Sequence, residues 1–262
     1  MPRILHFFAV SCAAMILSVA ATRADTVREL YETMRMDEII EIMRLEGIAY
    51  GDDLGEEMLG NTSGAGWPRA VAQIYRVERM EAEFLKEFER RLAPEHIAPL
   101  IAFFASNQGR EITNFEVSAR RALLDEDVEK TAKQIWKDLE GEIDPRLEII
   151  ERFVTVNDLI EANVAGTMNS SLAFYEGLAS GNDRSLGLTP ERIMALVWEQ
   201  EAEIRANTRD WVYPFLTLAF EPLSDADLEA YIALSESDAG QALNTSLLGA
   251  FDVLFVDISR EI

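Results

Sequence analysis

Residues 100–112, LIAFFASNQGREI, join a strongly apolar segment to a polar one through Ser106 and Gly109. The apolar residues recur with the spacing of a helix face. Serine is favoured at a helix N-terminus because its hydroxyl accepts a hydrogen bond from a free backbone N–H. Glycine costs about 1 kcal/mol relative to alanine inside a helix, so we expect it to mark a close approach of two backbones. The stretch predicts a helical hairpin whose second arm is capped by Ser106, with alanine tolerated in place of the glycine and leucine not.

The same pattern occurs again 131 residues later, as YIALSESDAGQAL at residues 231–243. When 92–124 is aligned with 223–255 without a gap, seven positions are identical, whereas composition alone gives roughly two. The second stretch therefore predicts a second hairpin with an equivalent corner. The motif shared by the two corners consists of Ser106, Gly109, Ser237 and Gly240.

Further upstream, residues 36–41 resemble residues 156–161 at a shift of 120. We therefore predict two internal copies, at about 36–124 and 156–255, joined by a helix near 125–140. Chance similarity between amphipathic helices is the alternative explanation.

Residues 100–112 resemble the core motif of a bacterial family known as domain of unknown function 2059. In that family an apolar helix ends at Ser-x-x-Gly and a second helix follows. Residues 232–243 match the motif more loosely, with Ser235 where the family favours an aromatic residue. The resemblance implies an all-helical protein of the Gram-negative periplasm, and it implies no reaction and no catalytic residues.

Helical periodicity extends along most of the chain, and the period-2 alternation of strands is almost absent. Start signals occur at Thr189-Pro190 and at Ser224, which Asp227 complements as a capping box. Turn-forming residues at 60–66 and 180–183 predict loops. The sequence therefore predicts an all-α fold, in which two related helical units, each containing a helical hairpin, pack as one multi-helix domain.

Residues 1–24 have the pattern of a secretory signal peptide: a basic start, an apolar run and a small-x-small triplet. We expect the mature body to comprise residues 25–262, with cleavage after Ala20 as the alternative. The apolar run is short for a membrane anchor, and Cys12 lacks the preceding residues of a lipidated cysteine. No later stretch is expected to reach membrane-spanning length, so the exported protein is predicted not to be embedded in the membrane.

The chain carries a formal net charge of −23 and one cysteine. A surface this acidic disfavours nucleic acid and anionic lipid as partners. Because Cys12 leaves with the signal peptide, no disulfide supports the exported protein. A chain of this length and apolar content can form its core unaided.

The residues required by several common chemistries are missing from the predicted mature chain. His96 is its only histidine, and no nucleophile elbow or EF-hand spacing occurs. An acidic group could in principle hold calcium, although a solvated acidic face explains it better. That group consists of Asp52, Asp53, Glu56 and Glu57. We therefore predict no catalytic residue, no metal site and no cofactor.

Residues 211–220 form an unusually apolar segment whose counterpart in the first copy is charged. Trp211, Leu218 and Phe220 are the candidate interaction face of this segment. Either the segment is a central helix buried between the copies, or it exposes an apolar patch to a partner.

The sequence favours a non-enzymatic binding protein of the bacterial periplasm, whose partner is another envelope protein or a small apolar ligand. One alternative is a carboxylate-dependent hydrolase of the cell envelope, for which Glu236-Ser237 offers the dipeptide of helical lytic transglycosylases. Another is a carrier of a small apolar ligand. Two convergent acids in a pocket would favour the hydrolase, an apolar cavity the carrier, and a flat aromatic patch an interaction module.

Overall fold

A computed structural model describes residues 23, 24, 26–60, 66–180 and 187–262. Within these ranges the chain consists of helices joined by short connections, and it contains no strand. The helices pack as one multi-helix domain, which confirms the predicted all-α class. Most of the predicted signal peptide lies outside the described residues, as does Asp25.

Thirteen helices follow one another along the described part of the chain. They are α1 (26–33), α2 (Met36–Leu59), α3 (Gly66–Ile74), α4 (Val77–Arg91), α5 (Ile97–Phe104), α6 (Asn107–Ala122), α7 (Glu126–Leu139), α8 (Pro145–Val156), α9 (Leu159–Ser180), α10 (Pro190–Glu199), α11 (Glu201–Phe220), α12 (Asp225–Glu236) and α13 (Asp238–Glu261). A 3-10 turn at Pro94–His96 precedes α5.

The predicted helix starts are found at the expected residues. The Thr189 hydroxyl accepts a hydrogen bond from the backbone N–H of Arg192 at the start of α10. Ser224 and Asp227 form the predicted capping box of α12. Helix α7 occupies the predicted connection near 125–140. Of the two predicted loops, residues 61–65 and 181–186 lie outside the described residues.

Six described helices precede α7 and six follow it, and a long helix stands second in each set, although α11 and α13 are longer than α4 and α6. The junctions of α1 with α2 and of α8 with α9 each contain a left-handed residue, Arg35 with φ 56° and Asp158 with φ 51°. These residues are 123 positions apart, and so are buried pairs such as Val27 with Ile150. The shift between the long helices is therefore one helical turn larger than the 120 of the sequence alignment. A slip of one turn preserves the apolar face, which is why both alignments look plausible in sequence.

The fold has two hydrophobic clusters, and each contains the last helix of the other half. The first joins α1, α2, α4 and α5 to residues of α13, such as Leu243 and Leu254. The second joins α8, α11 and α12 to residues of α6, such as Ile112 and Ala119. Accordingly, α13 packs against α4 and α5, while α6 packs against α11 and α12. The two halves therefore exchange their final helices and cannot fold as separate bodies with these cores.

Helix α13 is long and apolar enough to cross a membrane by length and composition, the only such helix among the described residues. This corrects the expectation that no later stretch reaches spanning length. The helix runs through the centre of the molecule, where α4, α5, α9 and α12 pack against it. Its apolar residues are explained by those contacts and by the cleft described below.

Candidate functional site

The two Ser-x-x-Gly corners have the same geometry. The Ser106 hydroxyl accepts a hydrogen bond from the Gly109 N–H at 3.0 Å, and Ser237 accepts one from Gly240 at 3.1 Å. Both serines have extended backbone angles, with φ −66° and ψ 165° in Ser106 and φ −73° and ψ 158° in Ser237. Each serine thus ends one arm of a hairpin and caps the next, at α5–α6 and α12–α13.

Both glycines lie against the backbone of the preceding arm. A Cβ at Gly109 would be 2.2 Å from the carbonyl oxygen of Phe103, and a Cβ at Gly240 would be 1.9 Å from that of Leu234. No real Cβ contact is this short, so even alanine would force the arms apart. The expectation that alanine is tolerated there is therefore wrong, because the neighbouring atoms are backbone and cannot rotate away.

A second shared feature lies at the ends of α4 and α11. The Arg23 guanidinium donates hydrogen bonds to the carbonyl oxygens of Glu89 at 2.5 Å and Leu92 at 3.2 Å. Arg146 does the same for α11, where its acceptors are the carbonyls of Phe220 and Leu223. Each acceptor pair satisfies carbonyl groups that a helix end leaves free. The acceptors are 131 positions apart, and the arginines 123.

Segment 211–220 lies mostly in the second core. Phe220 has no exposed surface, and Leu218 is half-buried against the same cluster. Phe220 packs edge-on against Phe153 at 5.1 Å between ring centres. Trp211 differs, because its half-buried indole lines a cleft. The three candidate interaction residues therefore do not form one exposed face.

That cleft lies between α9, α11 and α13 and is closed on one side by residues of the first half. It has a volume of about 800 Å³, within the range of small-molecule sites. We call it the α9 cleft. Its apolar lining consists of Met43, Leu159, Ala162, Phe174, Trp211, Val212, Phe215, Leu216, Leu248, Phe251, Phe255, Ile258 and Ile262. Its polar lining consists of Tyr50, Tyr75, Arg120, Asn163, Thr167, Ser170, Ser171, Tyr175, Gln200, Asp252 and Ser259, with Gly166 between them.

The cleft is elongated because α9 and α13 run side by side in the same direction. Asn169 of α9 donates a hydrogen bond to Asp252 of α13 at 2.9 Å, and Gly177 abuts the backbone of Arg260. Cleft residues on α9 extend from Leu159 to Tyr175, about 24 Å at the rise of an α-helix. The cavity is therefore long enough for a chain-like ligand.

One wall of the α9 cleft offers free hydroxyl groups. Thr167, Ser170 and Ser171 follow one another along α9, and their hydroxyls make no hydrogen bond within the described residues. The aromatic rings of Phe215, Phe251 and Phe255 supply apolar lining from α11 and α13. The cleft thus combines an aromatic wall with a row of small polar groups.

At the far end of α9, three phenols form what we call the tyrosine cluster: Tyr50, Tyr75 and Tyr175. Tyr75 is 5% exposed, and its hydroxyl makes no hydrogen bond within the described residues although it lines the cleft. Gln200 donates a hydrogen bond to the Tyr175 hydroxyl at 2.8 Å. Burial, together with the charge of ionised Tyr50, raises the pKa of Tyr75 to about 12. The Tyr75 phenol therefore stays protonated and able to donate at neutral pH.

Arg120 is the one cationic side chain among the described residues that line the cleft. Its guanidinium donates to Glu46 at 2.8 Å and lies over the Trp211 ring at 5.1 Å. The Glu46 carboxylate neutralises this charge, and the ring covers one face of the guanidinium. Arg120 therefore braces α6 against α2 and α11 at the wall of the cleft.

The acidic residues do not assemble into a catalytic pair in this cleft. Asp252 is the one acidic side chain in its described lining. Burial raises the pKa of the Glu116 carboxyl to about 7, but Glu116 contacts the Tyr231 hydroxyl between α6 and α12, away from the cleft lining. Glu236 is exposed, and its neighbour Ser237 is engaged as a helix cap.

The other chemistry-bearing residues considered in the sequence are also dispersed. His96 is half-buried in the 3-10 turn before α5. No group of three potential metal ligands occurs among the described residues. The sequence reasoning missed the α9 cleft, whose residues come from helices that lie far apart in the chain. The small polar residues of α9 gave the available signal, since they replace the apolar face expected of a core helix.

Comparisons with known proteins identified no relative of this chain. No family model matches the chain, and no match was found among the curated proteins or the solved structures.

Proposed function

We propose that this protein is a non-enzymatic binding protein that carries an elongated, mostly apolar small molecule in the α9 cleft. The observation that carries the proposal is the cleft itself: about 800 Å³, lined by thirteen aliphatic or aromatic side chains and eleven polar ones. Sites of this size and composition bind small ligands by burying their apolar surface, while the polar groups fix the orientation.

The chemistry of the lining favours binding over catalysis. An envelope hydrolase would need two convergent carboxyl groups, whereas Asp252 alone supplies an acidic side chain to the described lining. Free hydroxyls on α9 are suited to hydrogen bonding with a ligand. The elongated shape favours a chain over a compact ring system.

We further propose that the protein acts in the periplasm, after export directed by the signal sequence, and that its scaffold arose from two related helical units. The matching corners, the two arginine caps and the equivalent order of helices support a duplicated origin. The resemblance to domain of unknown function 2059 supports the same address.

Binding of the neutral fluorescent probe N-phenylnaphthylamine tests the proposed function. Gly166 has open space before it, since a Cβ there would meet only the Asp252 carboxylate at 3.8 Å. Gly166→Leu should fill the cleft without harming α9, because leucine is the better helix former. Ala165→Leu, at an exposed neighbouring position, is the matched control.

We expect saturable binding by the wild type and the control, and at least tenfold weaker binding by Gly166→Leu. Absence of saturable binding by the wild type would contradict the proposal. Equal binding by all three proteins would place the probe elsewhere and contradict it as well.

A further inference from the structure

The tyrosine cluster gives the α9 cleft a polar end. We propose that this cluster binds the head group of the ligand, and that the head group is uncharged and accepts hydrogen bonds, as in a monoacylglycerol. The inference rests on the proposed function and adds the polarity and the orientation of the ligand.

Tyr75 is the central donor in this proposal. Its ring lies against Gly47 of α2, where a side chain would overlap the ring, and the residue is almost fully buried. Its hydroxyl nevertheless has no partner in the described part of the chain, although it lines the cleft. The hydroxyl is open to water in the cleft, so a ligand that displaces this water must supply an acceptor in its place.

Two further phenols surround the same position. Tyr50 is 54% exposed and Tyr175 is half-buried, and both line the α9 cleft together with Tyr75. Since Gln200 already donates to the Tyr175 oxygen, the Tyr175 O–H is directed to another acceptor. The cluster thus presents several neutral donors at one end of the cleft.

The charges around the cleft decide against an anionic head group. Arg120 is held by Glu46 and Trp211. Trp211 shares a small side pocket with Thr167, which lies about 12 Å along α9 from Tyr175. Glu57 is the charge that acts on Tyr50, and the whole chain has a net charge of −23. Arg260, which follows Ser259 of the lining, is paired with Glu176 and Asp257. A carboxylate or phosphate at the cluster would therefore have to compete with these carboxylates for a cation.

The orientation of the ligand follows from the two ends of the cleft. With its head at the tyrosine cluster, an apolar chain would extend along Phe255 and Phe251 towards Leu248. Burial of each methylene group of that chain strengthens binding about fourfold. The chain therefore supplies most of the affinity, and the cluster supplies selectivity for the head group.

Isothermal titration with three ligands of equal chain length tests the inference: monolauroylglycerol, laurate and dodecyltrimethylammonium, each below its critical micelle concentration. We expect the glycerol ester to bind the wild-type protein more tightly than either charged ligand. Tyr75→Phe removes only the hydroxyl, and should weaken binding of the ester about three- to tenfold, the value of one hydrogen bond. Tyr213→Phe is the control, since Tyr213 is equally buried but lies outside the cleft lining.

The outcomes separate this inference from the proposed function. Tighter binding of laurate or of the alkylammonium would overturn the neutral head group, while leaving the cleft as the site. Equal affinity of wild type and Tyr75→Phe for the ester would overturn the role of the cluster. Failure of all three ligands to bind would reject the proposed function together with the inference.

Discussion

The two halves of the chain, 26–122 and 145–261, share their corners and helix ends but differ along the long helices α2 and α9. On α2, Met36, Ile40 and Met43 are at most 8% exposed and belong to the first core, and of these Met43 also contributes to the lining of the α9 cleft. The residues 123 positions later in the sequence are Leu159, Asn163 and Gly166, and they line the α9 cleft.

The covering of α2 explains this difference. Helix α3 and the following turn place side chains directly over three glycines of α2: Trp67 over Gly55, Val71 over Gly51 and Tyr75 over Gly47. In the second half, α10 likewise packs against α9, but the residues 123 positions after these glycines are Ser170, Phe174 and Leu178, and the first two line the α9 cleft. The two halves thus share their corners, while the corresponding faces of α2 and α9 have different surroundings.

Truncation of Phe220 should have the largest effect on stability. Its counterpart 131 positions earlier is Glu89, on the charged helix α4. Because Phe220 has no exposed surface, Phe220→Ala should lower the free energy of unfolding by about 3–5 kcal/mol. Glu89→Ala is the matched change in the other half and should have little effect. Chemical denaturation measures both, and similar values would mean that the second core is misplaced.

Alanine in place of the corner glycine should destabilise the protein by a similar amount in both halves. Gly109→Ala and Gly240→Ala each place a Cβ within 2.2 Å of a backbone oxygen. Overpacking of this kind costs about 1–3 kcal/mol, so both variants should melt several degrees below the wild type. Ala105→Gly, in the same turn as Ser106, is a control that introduces no atom. If either alanine variant melts like the wild type, the close approach at that corner is wrong.

The products of the two predicted signal cleavage sites should differ in stability, because only one of them retains the Arg23 cap. Cleavage after Ala24 removes Arg23, whereas cleavage after Ala20 retains its contacts with the end of α4. Loss of charged hydrogen bonds should cost about 1–2 kcal/mol, so a chain starting at Ala21 should be more stable than one starting at Asp25. The Arg146→Met variant gives the matched loss in the second half.

We expect the exported protein to begin at Asp25, as the triplet Thr22-Arg23-Ala24 predicts, whereas a product that begins at Ala21 would keep both caps. Its intact mass decides the point. A mature chain that starts at Asp25 and is as stable as the longer one would show that the Arg23 cap is dispensable.

Glu116 should make stability depend on pH. The folded carboxyl, with a pKa of about 7, retains its proton between about pH 4.5 and pH 7, whereas an unfolded glutamate has lost it. Folding stability should therefore fall as the pH rises through this window. Glu116→Gln should gain on the order of 3 kcal/mol near pH 8 and almost nothing near pH 4. A gain that is independent of pH would point to packing rather than ionisation.

Much of the fold could be predicted from the sequence because its signals are local. Ser-x-x-Gly marked both corners, Thr189 and Ser224 marked helix starts, and periodicity gave the all-α class. The exchange of α6 and α13 between the cores could not be predicted, because periodicity shows which face is buried and not what covers it.

The α9 cleft could not be predicted from the sequence for a related reason. At the shift of 120 used in sequence, Ile40 aligns with Ile160 and the two long helices look alike. At the shift of 123, Ile40 aligns with Asn163, and the apolar face of α2 becomes the polar wall of the cleft. The family resemblance stays a prediction, as does the periplasmic address.

Two tryptophans allow the difference between the halves to be measured directly. Trp67 covers α2 and donates a hydrogen bond to the Gly51 carbonyl at 2.7 Å, whereas Trp211 lines the α9 cleft. Two variants that retain only one of these residues, with the other tryptophans changed to phenylalanine, can be titrated with a monoacylglycerol that carries bromine on its chain. We expect saturable quenching of Trp211 fluorescence and almost none of Trp67. Quenching of both tryptophans to the same extent, or of neither, would contradict the account.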